Sequence, residues 1–281
     1  MQHKWIAILD FGSQYTQLIA RRVREQQVYS EILRFDTTAA QLRERMPAGI
    51  ILSGGPNSVF EEGAPLCDPA IFELGIPVLG ICYGMQLTAK TLGGTVKPGD
   101  HREYGHTRVE VVSGSHLFAG LPSEFDVWMS HGDQVSVLPA GFATSARSLS
   151  CPNAAMRNEA RKFFALQFHP EVVHTQHGTK ILHNFLFSVC GCTGDWQLSS
   201  WVDETVEKLK KQVGGEHVVL GLSGGVDSSV VAVLLHKAIG DRLHCIFVDN
   251  GLLRYGEDKQ VETMFKSKLG MDLHVIDAKA R

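Results

Sequence analysis

A chain of 281 residues has room for two domains, or for one large α/β domain. Its 44% hydrophobic and 20% charged content is that of an ordinary globular protein, and a net charge of −3 with no block of like charge gives no footprint for nucleic acid or a membrane surface. No apolar run approaches the roughly 18 residues of a membrane span and the first residues lack a signal-peptide pattern, so a cytoplasmic protein is expected.

Trp5–Asp10 reads as a short apolar strand, and Phe11-Gly12-Ser13 turns into a helix with Leu18, Ile19 and Val23 on its apolar face. Ser13 is the candidate cap, and Arg21, Arg22 and Arg24 fall on the solvated side. Glu31–Phe35 reads as strand, Ala39–Met46 as helix and Gly49–Leu52 as strand. This alternation predicts an α/β fold: a mixed, mainly parallel sheet flanked by helices, with active residues at the C-terminal ends of its strands.

Pro77–Gln86 opens as a buried strand, breaks at Gly80 and Gly84 around Cys82, and runs on as a helix. A nucleophile between two close glycines at a strand-to-helix turn follows the logic of a nucleophile elbow, in which the glycines permit the bend. The amides of the following helix point at the thiol and favour its thiolate. From Thr107 the texture changes to short strands, Val109–Val112, Asp126–Ser130, Phe142–Arg147, Ala154–Arg157 and Phe163–Phe168, so part of this region is expected to be antiparallel. The last of them ends at His169, with Pro170 and Glu171 behind it. A cysteine nucleophile needs a base, and the base needs an acceptor to fix its tautomer; Cys82, His169 and Glu171 supply those three groups.

Thr175–Val189 reads as a helix closing a first domain over residues 1–193. His169, His174 and His177 match no metal-ligand spacing, and six cysteines (67, 82, 151, 190, 192 and 245) form no disulfide framework in a chain of this length. Gly191–Leu198 is the expected linker, and residues 194–281 form the second domain. Trp201–Val213 is an amphipathic helix ended by Gly214-Gly215. The strand His217–Leu222 then runs into Ser223-Gly-Gly-Val-Asp-Ser-Ser229 and an apolar helix, Val230–Ile239. A glycine-rich loop there offers backbone N–H groups and a helix N-terminus to a phosphate, without the lysine of a Walker motif. Leu243–Val248 ends in Asp249-Asn250-Gly251, which is open between a nucleotide or metal contact and a simple turn; Asp272–Ile276 is the last strand.

Gly80-Ile-Cys82-Tyr-Gly84-Met-Gln86 with His169-Pro-Glu171 resembles the class I glutamine amidotransferases of the Cys-His-Glu type, which have a flavodoxin-like core, and Ser53-Gly-Gly55-Pro56 resembles their oxyanion loop. The resemblance implies attack of the Cys82 thiolate on a glutamine side-chain amide, release of ammonia, and hydrolysis of a glutamyl thioester. It implies an oxyanion held by the amides of Gly55 and Tyr83, and substrate glutamine held by Gln86, with Ser130 and Gly132 as further contacts. His131 and Asp133 stay open between a surface role and contact with a neighbouring domain.

Ser223-Gly224-Gly225-Val226-Asp227-Ser228 resembles the pyrophosphate loop of the N-type ATP pyrophosphatases, whose partial Rossmann-like domain would begin here. That implies ATP held by these six residues, with Asp227 binding Mg²⁺ or orienting the loop; its plain reading is a helix N-terminal carboxylate. The two motifs on one chain, with Asp10–Tyr15 and Phe247–Arg254, resemble the family of glutamine-hydrolysing GMP synthases over essentially the whole sequence. These are ligases that convert XMP, ATP, glutamine and water to GMP, AMP, pyrophosphate and glutamate. The resemblance further implies that the family chain continues past Arg281 into a dimerisation region, and that this chain is a truncated form keeping glutaminase chemistry and weak ATP binding. Its partners would be glutamine, ATP and XMP, with no nucleic acid and no membrane. The alternatives are a separate glutaminase subunit feeding ammonia to another synthetase, and a non-enzymatic nucleotide-binding fragment.

Overall fold

Trp-Ile-Ala-Ile-Leu near the N-terminus is apolar on both faces, as a strand inside a parallel sheet must be, and all five residues are buried. In the computed structural model, which describes residues 4–112 and 114–279 (side chains of 100–102 and 200 excepted), this strand is β1 (Trp5–Asp10). It is followed by α1 (Thr16–Glu25), β2 (Tyr29–Arg34), α2 (Ala39–Arg45), β3 (Gly49–Leu52), β4 (Val78–Ile81) and α3 (Tyr83–Thr91). α1 buries Ile19, Ala20 and Val23, and α2 opens with a capping box in which Thr38 and Gln41 bond each other's backbone. Ser13 is not the cap of α1: its hydroxyl accepts from Tyr15 N at 3.0 Å within the preceding turn, and Tyr15 takes the cap position. The short serine side chain satisfies the amide two residues on before any helical turn has formed.

Next come β5 (Thr95–Val111), β6 (Glu124–Val137), β7 (Ala143–Arg147), β8 (Ala155–Asn158), β9 (Phe163–Leu166) and α4 (Gly178–His183), which continues as a π-helical turn over Asn184–Val189. The strands form one sheet in the order β2-β1-β3-β4-β9-β8-β7-β5-β6. From β2 to β9 neighbours are parallel, and from β9 to β6 antiparallel. Apolar clusters pack on both faces, one around Ile8, Ile51, Leu79 and Phe168, the other around Leu9, Leu52, Met85 and Phe163.

Three expectations are corrected. β5 and β6 form a hairpin far longer than Val109–Val112 and Asp126–Ser130, so Trp128–Asp133 lies inside a strand and not at its end. Inward positions of β6 run Phe125, Val127, Met129, His131; the period-2 pattern is lost where a histidine replaces the apolar residue. β9 stops at Leu166, three residues before His169. The last helix of this unit starts at Gly178 and not at Thr175, because His177 takes a left-handed φ of 58°, and a Cβ on Gly178 would run into the Pro170 carbonyl.

The chain divides into two compact units, Met1–Trp196 and Gln197–Arg281. In the second, α5 (Leu198–Val213), β10 (Val218–Gly221), α6 (Val226–Ile239), β11 (Leu243–Asp249), α7 (Glu257–Glu262) and β12 (Asp272–Asp277) give a parallel sheet in the order β10-β11-β12. Leu243, Cys245 and Phe247 of β11 are buried against Ala232, Leu235 and Phe265, while Val219, Val248 and Ile276 on the other face are exposed. Among the described residues no helix is long and apolar enough to cross a membrane. All six cysteines are free and buried.

Candidate active site

Cys82 lies between β4 and α3 with φ 51° and ψ −104°, a backbone conformation that non-glycine residues rarely adopt. Its amide donates to Leu166 O at 2.7 Å, locking the turn against the end of β9. The flanking glycines do a different job from the one the sequence suggests. Neither has a positive φ; the sharp bend falls on Cys82 itself. Gly80 and Gly84 are needed for close approach: a Cβ on Gly80 would lie 2.6 Å from Gly84 O, and one on Gly84 would enter the Leu52 carbonyl. The start of α3 is thereby pressed onto β3 and β4.

His169 is carried just past β9, with its amide bonded to Trp128 O at 3.1 Å and its carbonyl accepting from Thr175 Oγ1 at 2.6 Å. Its Nδ1 donates to Glu171 Oε1 at 2.8 Å, which directs Nε2 to the other side of the ring. Glu171 is fully buried, and its second oxygen has no partner among the described residues. Burial alone would depress the imidazole pKa, but the Glu171 charge and hydrogen bonds with Cys82 and Glu171 outweigh it and raise the value to about 10. The Cys82 thiol also donates to Ser130 O at 3.5 Å and accepts from Gln167 Nε2 at 3.7 Å. Cysteine, imidazole and carboxylate, read separately from the sequence, thus meet at the C-terminal ends of β4 and β9.

A cavity of about 530 Å³ opens in front of the thiol, lined in part by Gly55, Tyr83, Gln86, Ser130, Gly132 and Asp133. Gln86 Nε2 donates to Asp133 O at 2.8 Å, and Ser58 donates to the Asp133 carboxylate at 2.5 Å. His131 and Asp133 both make hydrogen bonds within the first unit, and Asp133 stays partly exposed at the cavity. His131 is buried, with Nδ1 donating to Asp133 O at 3.0 Å and Nε2 2.8 Å from Glu103 Oε2.

Sequence reasoning missed several residues of this site. Gln167 reaches the thiol, Tyr15 sets its ring edge against His169 with centroids 5.1 Å apart, and Gly54 leaves room for the imidazole, whose Cε1 would lie 3.1 Å from a Cβ there. Glu103 is drawn in from β5. Tyr15 and Gly54 lie inside the Asp10–Tyr15 and Ser53–Pro56 motifs, which gave them no role of their own, while Gln167 and Glu103 reach the site through the pairing of distant strands.

In the second unit Gly224 has φ 76°, Gly225 caps α6, and Val226 and Asp227 open the helix, with Asp227 exposed. Ser223 Oγ and Ser228 Oγ are 3.0 Å apart, and Ser223 Oγ accepts from Gly225 N at 3.3 Å. The loop's polar groups bond one another at its exposed rim, where anion oxygens could replace them, so its donor set fits a phosphate group. Asp249 is paired with Lys279 Nζ at 2.8 Å and accepts from Gly251 N at 3.0 Å, and these two contacts hold its carboxyl below the usual range.

Residues 7–189 match the family model "Glutamine amidotransferase class-I", and residues 197–281 match the model "NAD synthase". The chain therefore belongs to the class-I glutamine amidotransferase family. Within that class it is similar to the "GMP synthase [glutamine-hydrolyzing]" of Geobacillus kaustophilus, 56% identical over all 281 residues, and to that of Bacillus cereus (strain AH820), 54% identical over 280 residues. The chain spans about half of those relatives, 55% of each. Among solved structures it resembles a putative GMP synthase subunit from Thermoplasma acidophilum, with a TM-score of 0.62 and 33% identity over 73% of this chain and 98% of that one.

Proposed function

We propose that the first unit hydrolyses glutamine to glutamate and ammonia at Cys82. The observation that carries this is the buried arrangement of Cys82, His169 and Glu171 at the edge of the cavity. Cys82 gives its thiol proton to His169 as Sγ attacks the side-chain amide carbon, and the oxyanion that forms is held by the backbone amides of Gly55 and Tyr83. His169, oriented by Glu171, delivers a proton to the departing nitrogen, so the C–N bond breaks and ammonia leaves. Water then adds to the thioester with His169 taking its proton, releasing glutamate and restoring the thiol. Gln86, Ser130 and Gly132 hold the substrate.

The second unit binds ATP through Ser223, Gly224, Gly225, Val226, Asp227 and Ser228, with Asp227 as the carboxylate for Mg²⁺, an ion that neutralises phosphate charge. In the longer protein that the relatives imply, the ammonia aminates XMP, activated by ATP, to GMP. We place that protein in the cytoplasm as a homodimer formed through a region this chain does not include. A second reading, a free-standing glutaminase that serves another synthetase, draws on the Thermoplasma chain, which this one covers almost completely. The match of residues 197–281 to a second family disfavours it.

The test is glutamate release from glutamine by the 281-residue chain and its variants. Cys82→Ala is expected to lose at least about 10³-fold in kcat, and Glu171→Gln roughly 10²–10⁴-fold, with KM changed far less. Equal rates for wild type and Cys82→Ala would sink the assignment.

A further inference from the structure

Three histidines and an aspartate gather on the uncovered face of the second unit's sheet, at the starts of its strands. His217 stands just before β10, His244 is second in β11, and Asp272 and His274 are first and third in β12. The register sets His244 beside Asp272, and strand alternation puts His274 on the same face. The side chains converge. Asp272 Oδ2 lies 2.5 Å from His244 Nδ1 and 3.2 Å from His274 Nε2, and a donor atom from each of the three residues falls within 4.8 Å of the others. On the far side of its ring, His244 Nε2 is 2.8 Å from His217 Nδ1, with the two rings nearly parallel at 8°. His244, Asp272 and His274 keep 32%, 42% and 55% of their side-chain surface open, so an ion can reach them from solvent.

We propose that His244, Asp272 and His274 bind a divalent transition metal of the Zn²⁺ class, with His217 as the hydrogen-bond partner that orients His244. Two imidazoles and a carboxylate form the donor set of an open zinc site, whose remaining position water fills. Metal at His244 Nδ1 leaves the proton on Nε2, and that N–H donates to His217 Nδ1, the outer contact that ligating histidines usually make. In the absence of an ion each imidazole can turn an N–H to the Asp272 carboxylate; in the opposite tautomer the two ring lone pairs and the carboxylate face one region, which a dication satisfies. The site is separate from the nucleotide loop. His244 and Asp249 are at opposite ends of β11, roughly 16 Å apart at ~3.3 Å per residue, and the Ser223 loop follows β10 at the Asp249 end.

The experiment is equilibrium dialysis of the 281-residue chain against ZnCl₂ alone, in a Cys82→Ala background that removes the reactive thiol. One equivalent is expected to bind. His244→Ala and His274→Ala should each weaken it by more than about tenfold, and His217→Ala by about 10–100-fold, the range for loss of an outer hydrogen-bond partner. All three positions are at least partly exposed, so the variants should keep the parental far-UV circular dichroism and melting temperature, which are measured alongside. The proposal is overturned if no equivalent binds, or if binding survives in the His244→Ala/His274→Ala double variant. It is also overturned if the zinc is lost instead in Cys151→Ser, which would locate it at the buried Glu103, His131 and Cys151 cluster. Unchanged affinity in His217→Ala removes His217 from the site.

Discussion

Cys82 combines two demands that conflict. The thiol must stand at the end of β4 under the first amides of α3, and this requires a φ of 51° at a residue that has a Cβ. The conformation stores strain of about 1–3 kcal/mol. Glycine adopts it freely, so Cys82→Gly is expected to be inactive yet more stable than Cys82→Ala by about 1 kcal/mol in urea denaturation. Equal stability of the two would mean that the turn is not strained. The neighbouring His169 gives a second residue-scale prediction. Its pKa rises from 6.5 to about 10 on folding, so the folded state binds the proton more tightly than the unfolded chain does. That stabilisation is fully present below pH 6.5 and is lost as pH rises through about 10. Measured against His169→Gln, the wild-type advantage in melting temperature should therefore shrink between pH 6.5 and 10; an advantage that grows over this interval contradicts the buried His169–Glu171 ion pair.

Elements explain which parts of the site could be read in advance. β1, β3 and β4 are buried on both faces, so their uninterrupted apolar runs gave the parallel core directly, and Cys82 and Gly55 follow strand ends as that architecture requires. The β5–β6 hairpin was legible only in part: Val109–Val112 and Asp126–Ser130 read as strands of an antiparallel region, but their extension did not. His131 occupies a core position, and its compensating partner, Glu103, lies 28 residues away on another strand. A polar pair of this kind hides a strand from any rule that looks for apolar alternation. The role of the elbow glycines was read only in part, since composition shows a glycine without showing whether torsion or space demands it. Gly84 separates the two. Its φ is one that alanine accepts, but its Cβ would collide with the Leu52 carbonyl. Gly84→Ala should thus destabilise the protein by about 1–3 kcal/mol, the cost of overpacking, and should displace Cys82 enough to depress kcat. A Gly84→Ala chain that is as stable and as active as wild type would show that β3 and α3 can separate at no cost.

At the scale of the molecule, the second unit gains its identity from a small core and the first from a large one, and the segment between them is assigned by what it touches. Sequence reasoning ends the first domain at residue 193, where glycine and polar residues leave no period. Yet Lys4 Nζ donates to Gly191 O at 2.8 Å, Cys192 N to Leu186 O at 2.9 Å, and Trp196 N to Gln27 O at 2.9 Å. The Trp196 ring is buried, with its centroid 5.9 Å from that of Tyr29 on β2. An irregular segment without apolar periodicity can still be anchored by one large aromatic residue, and pattern analysis is blind to an anchor of that kind. We expect a 1–196 fragment to fold and to hydrolyse glutamine, and a 1–193 fragment to be weaker by about 3 kcal/mol, the low end for deletion of a buried tryptophan. For a unit of this size that corresponds to a melting temperature lower by roughly 6–12 °C, at about 2–4 °C per kcal/mol. Both fragments contain Cys82, His169 and Glu171, so the two should differ in stability and not in kcat below their melting range. If they melt together, Trp196 does not hold the first unit, and residue 193 is its proper end.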